Sequence, residues 1–114
     1  MPKQAVKKDQ GKPQIHLVPP QAILGIARVM TYGIGKYSEY NYRNGKGLNW
    51  MRVYDALQRH LLAWVSGETF DKETGENHLF HAGCCLAMLT DLQTRGFIDG
   101  DDRPINPSIL PQFL

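Results

Sequence analysis

One stretch limits the architecture more than any other. From about Asn77 to Thr94 the chain reads as a helix that is apolar nearly all round, carrying Leu79, Phe80, Ala82, Cys84, Cys85, Leu86, Met88, Leu89 and Leu92. A helix without a polar face cannot lie on a surface, so it sits centrally or beneath a neighbouring subunit. The chain of 114 residues has room for one domain and not two. The rest of the sequence therefore has to wrap this helix or leave part of it for a second copy.

Two further helices are predicted. Between Gln21 and about Tyr32, apolar residues recur at Ile23, Ile26, Ala27 and Met30, after a Pro19-Pro20 pair suited to a first helical turn. Gly33 and Gly35 are expected to loosen that helix, and Gly35–Asn49 reads as a loop. A second helix is expected from Asn49, a good N-cap residue, to about Ser66, with Gly67 as its stop. Its apolar stripe is Trp50, Val53, Tyr54, Leu57, Leu61, Trp64 and Val65. There is no internal repeat and no strand ladder. The expected fold is all-α, a small bundle of three main helices with a long aromatic/basic loop and an extended Pro-rich C-terminal tail. Residues 1–14 read as a flexible basic arm, 15–98 as the helical domain, and 99–114 as the tail. A core this thin makes a homo-oligomer the natural expectation.

Net charge is only +2, yet it is unevenly spread. Residues 1–59 hold ten Lys/Arg and three acids, whereas residues 60–114 hold three and eight. No apolar run is long enough for a membrane span, and the N-terminal stretch lacks the apolar region of a secretory signal. A cytoplasmic protein is expected, and no membrane partner. The adjacent Cys84 and Cys85 point about 100° apart on a helix and read as small buried hydrophobes in a reducing compartment.

Two groups of residues carry chemistry. In the first half, aromatic and basic side chains interleave: Lys36, Tyr37, Tyr42, Arg43, Trp50 and Arg52, followed by Arg59. Aromatic faces stack on bases, and Lys or Arg pairs with phosphate. That density suggests a nucleotide site; the plain alternative is a solvated basic loop with packed tyrosines. Nucleic acid is not expected, because the acidic second half would repel its backbone. The other group is His60, Glu68, Asp71, His78 and His81. His78 and His81 project to the same side of a helix, and acids precede them within ten residues. Such a set can hold a divalent ion, with carboxylates favouring magnesium or manganese and imidazoles zinc or iron. Alternatively, His78 caps the helix and His81 makes a buried hydrogen bond. Antiparallel helices would bring the basic and acidic halves together, as a metal–triphosphate ligand requires.

The ordered series DQGKPQIHLVPP, ARVMTYGIGKY, NW, ALQRHLLAWVSGE, DKETGENHLFHAGCCLAMLTDL and GDDRP, from Asp9 to Pro104, resembles a family often encoded by bacteriophages. That family is named for an N-terminal dATP/dGTP diphosphohydrolase domain. The resemblance implies a compact helical domain that releases pyrophosphate from purine deoxynucleoside triphosphates, in a host bacterial cytosol where phage-encoded. Matching positions include Lys12, Lys36, Tyr37, Asn49, Trp50, Arg59, His60, Glu68, Asp71, His78 and His81. More loosely, the chain is similar to MazG-like all-α pyrophosphohydrolases, which hold magnesium with paired ExxE and ExxD carboxylates. Here the second helix offers Asp55 without ExxE, and the third offers HxxH with Asp91 further on.

The reading is therefore a metal-dependent purine nucleotide hydrolase using magnesium or manganese. Glu68, Asp71, His78 and His81 are expected to hold the metal, with His60 and Glu68 catalytic. Lys12, Lys36, Tyr37, Tyr42, Arg43, Trp50, Arg52 and Arg59 are expected to hold the nucleotide. Two other classes stay open: a non-catalytic sponge that sequesters a host immune signalling nucleotide, and a structural interaction domain without ligand.

Overall fold

A computed structural model describes residues 4–104. The end of the expected tail, residues 105–114, lies outside the described residues, as do positions 1–3 of the expected arm. The protein is all-α: α1 (Pro20–Lys36), α2 (Trp50–Val65) and α3 (His78–Thr94) are joined by short 3-10 turns and loops. Among the described residues there is no β-strand, only an isolated antiparallel bridge between Phe70 and Asn77.

Pro20 begins α1, where its missing N–H leaves no bond unmade. The helix runs a full turn beyond the expected end at Tyr32, through Gly33 and Gly35 to Lys36. A helical glycine costs only about 1 kcal/mol relative to alanine. The final turn is tethered through Tyr32 and Lys36, both of which reach Glu73. Asn49 precedes α2 as expected, but its side chain makes no capping bond. Asp102, from the C-terminal segment, instead accepts a hydrogen bond from the Met51 N–H at 2.9 Å. The cap is tertiary rather than local. At α3 it is local, since the Asn77 side chain accepts from the Leu79 N–H at 2.9 Å. Gly67 and Gly96 follow α2 and α3 with φ of 100° and 81°, the left-handed conformation that ends helices.

The apolar helix α3 is central, packed between α1 and α2. Val53 and Leu57 of α2 meet Ala82 and Cys85 of α3 to form the core, and Leu92 is fully buried. Against α1 the approach is closer. A β-carbon on Gly25 would lie 2.3 Å from the Phe80 ring, and one on Gly83 would lie 2.7 Å from Ile26. Each helix spends a glycine to admit the other's large side chain. Leu79 and Leu86, two turns apart on α3, remain 42% and 54% exposed. The cysteines are free and buried, and burial pushes the Cys84 thiol up to about 11.

Candidate functional site

α2 and α3 run antiparallel, so the late turns of one meet the first turn of the other. The segment between them folds back over this junction through the Phe70–Asn77 bridge and a turn in which the Gly75 N–H donates to the Asp71 carbonyl. His60 comes from α2, Asp71 from the turn, and His78 and His81 from the first turn of α3. Side-chain donors of His60, Asp71 and His78 all lie within 4.8 Å of one another.

Each side chain is held by a specific partner. His60 Nδ1 and His78 Nδ1 are 2.9 Å apart. The other nitrogen of His78, Nε2, lies 2.9 Å from Glu68 Oε1. The His60 and His81 rings stack at 4.4 Å, nearly parallel. His81 Nε2 is 2.7 Å from the Thr74 hydroxyl, which donates to Asp71 Oδ2 at 3.0 Å. The Thr74 backbone N–H donates to the same oxygen at 2.9 Å.

Electrostatics follow from this packing. Burial lowers the pKa of His60, and the neighbouring His81 and His78 lower it further. Burial also lowers that of His81, against the opposing pull of Asp71. Both rings are thus biased towards the neutral form, which has a lone pair to offer. Burial alone would raise Asp71, but the two Thr74 hydrogen bonds and His81 outweigh it and hold the carboxyl below its usual range.

The basic residues divide. Lys36 reaches this end of the molecule, 3.3 Å from Glu73, while Arg28 pairs with Glu76 at 2.7 Å. The exposed Tyr37 ring lies beside Lys36. Arg52 and Arg59 line a shallow groove of about 200 Å³ between α2 and α3, with Leu48, Ala56 and Met88. Tyr42 and Arg43 instead bind Asp91 Oδ2, at 2.5 and 2.7 Å. Asp91 is thirteen residues along α3 from His78, about 20 Å at 1.5 Å per residue. Trp50 is 5% exposed, with the Arg103 guanidinium 5.0 Å from its ring centre, so it belongs to the core and offers a base no open face. Lys12 lies exposed in a turn closed by a hydrogen bond from its own N–H to the Asp9 carbonyl.

Thr74 escaped the sequence reading as a site residue, although Asp71-x-x-Thr74 is the spacing at which a threonine can donate back to an aspartate. Arg28 escaped it too, because its partner Glu76 is 48 residues away.

Fold and site together define a small all-helical domain with a histidine–carboxylate cluster at the mouth of an antiparallel helix pair. The chain belongs to the family described as dATP/dGTP diphosphohydrolase, N-terminal, which matches residues 2–103. It is also similar to a protein of Salmonella phage PMBT28 named dATP/dGTP diphosphohydrolase, with 36% identity over 84 residues, or 74% of this chain. The matched region is 28% of that relative's length. No solved structure matches the chain.

Proposed function

We propose that the protein hydrolyses purine (deoxy)nucleoside triphosphates, dATP and dGTP foremost, to monophosphate and pyrophosphate. Family membership supports the nucleotide chemistry. The observation that carries the reading is the convergence of His60, Asp71 and His78 donors within 4.8 Å, one turn segment away from Lys36. In the proposed reaction water attacks the α-phosphorus, the bond to the bridging oxygen breaks, and pyrophosphate leaves. A divalent ion at the cluster supplies a Lewis acid for phosphate oxygens and acidifies water. A neutral imidazole of the stacked His60–His81 pair takes the proton. Lys36, Arg52 and Arg59 neutralise charge developing on the phosphates, and the exposed Tyr37 stacks on the base. The protein works as a homo-oligomer in a bacterial cytosol. No helix among the described residues is long and apolar enough to cross a membrane.

The test is incubation with a panel of deoxynucleoside triphosphates and a divalent ion, followed by denaturation and chromatography. Deoxynucleoside monophosphate and pyrophosphate in equal amounts are expected, and Asp71→Ala or His78→Ala should abolish their formation. Stoichiometric recovery of intact nucleotide would overturn hydrolysis and leave a binding protein that sequesters a nucleotide.

A further inference from the structure

We infer that the cluster is a transition-metal site with two nitrogens and one oxygen as ligands: His60 Nδ1, His78 Nδ1 and a carboxylate oxygen of Asp71. Glu68, Thr74 and His81 serve as supports rather than ligands. The inference deepens the proposed function by naming the class of ion at its site, and rests on that reading only for what the ion is used for.

The division of labour follows from which atoms are already engaged. Glu68 Oε1 occupies Nε2 of His78, placing the proton there and leaving the Nδ1 lone pair facing His60. A carboxylate behind a histidine, on the nitrogen away from the ion, is the usual outer support of a metal-binding imidazole. His78 is also buried, so its orientation is set by packing as well as by Glu68. Thr74 holds Asp71 through both its backbone N–H and its hydroxyl. His81 has its Nε2 against Thr74 and its ring stacked flat on His60, which fixes the His60 plane. That leaves His81 free of the ion.

The spacing fits a single ion. Ligands about 2.0–2.2 Å from a shared ion lie up to about 4.4 Å apart, within a few tenths of an ångström of the separation observed here. Two Nδ1 atoms 2.9 Å apart cannot both carry protons, whereas an ion can accept both lone pairs. The donor set then selects the metal. Magnesium prefers oxygen ligands and keeps its waters, while imidazole suits zinc, iron, cobalt or nickel. Three protein ligands leave positions open for a phosphate oxygen and water. On this assignment His60 is a ligand, and His81 is the imidazole left to accept a proton.

The test needs no nucleotide. The full chain is stripped with chelator and titrated with cobalt(II), zinc, manganese and magnesium, following heat and, for cobalt, visible absorption. One cobalt per chain is expected, with visible bands of nitrogen–oxygen coordination, and magnesium at least 100-fold weaker. His60→Ala and His78→Ala should each weaken cobalt binding by more than the roughly 10- to 100-fold expected of a supporting partner such as Glu68→Gln. Histidine nitrogen resonances of the unmutated chain guard against variants that fail to fold: Nδ1 of His60 and His78 should shift on zinc binding, while Nε2 of His81 should not. Magnesium binding as tight as cobalt, undisplaced resonances, or a His60→Ala variant that binds normally would each overturn the assignment. Cobalt binding without turnover would count against hydrolysis alone, and turnover with magnesium but no cobalt site would count against the metal assignment alone.

Discussion

Asp91 has more charged and polar partners than any other carboxylate described in the chain. The Tyr42 hydroxyl, Arg43 and Arg95 converge on it, and the Tyr42 hydrogen bond above all holds its carboxyl down at about 2. The aromatic/basic loop is thereby pinned to the far end of α3, which explains why Tyr42 and Arg43 are away from the histidines. The pH consequence has a definite sign. A carboxylate with a lowered folded-state pKa contributes stability above its unfolded value of about 4, and loses it as the pH falls towards 2. Asp91→Asn is therefore expected to lower stability at neutral pH and to flatten the acid limb between those values. Denaturant titrations at several pH values would check this; an unchanged acid limb would count against the pinning.

At the level of helices, the α1–α3 contact depends on small residues. Gly25→Ala should destabilise by about 1–3 kcal/mol, because the added methyl meets the edge of the Phe80 ring rather than a movable chain end. Calorimetric melting of the variant would measure it, with Gly33→Ala as a control, since a β-carbon there meets nothing. The α2 cap makes a second case. Asp102→Ala should cost about 1 kcal/mol, the usual worth of a helix cap, although Asp102 is 51 residues from the N–H it caps. If Asp102→Ala melts like the parent while Asn49→Ala does not, the cap is local after all.

For the molecule as a whole, part of the surface left open is apolar. Leu62, Val65, Leu79 and Leu86 are all exposed, the last two on one face of the central helix. Water gains from their burial, so a second copy is the expected cover. Sedimentation should give a mass above that of one chain, and Leu86→Glu should shift the population towards monomer without loss of helicity. A parent chain that sediments as a monomer at working concentration would remove this expectation.

Much of this was legible along the chain. The apolar period placed three helices, and the all-round apolarity of Asn77–Thr94 made that helix central, because burial follows from local composition. Histidines three residues apart had to share a side of α3, and the acids near them in sequence had to be near in space. Those features obey the helix repeat, and the repeat is local. What the chain order could not reveal were contacts between distant residues: Arg28 with Glu76, Asp102 at the start of α2, and Asp91 holding the loop away from the site. Nor could it tell which of Glu68 and His60 meets which nitrogen of His78, since both carry suitable atoms. Only the tertiary packing decided that, setting His60 2.9 Å from Nδ1 of His78 and Glu68 2.9 Å from its Nε2.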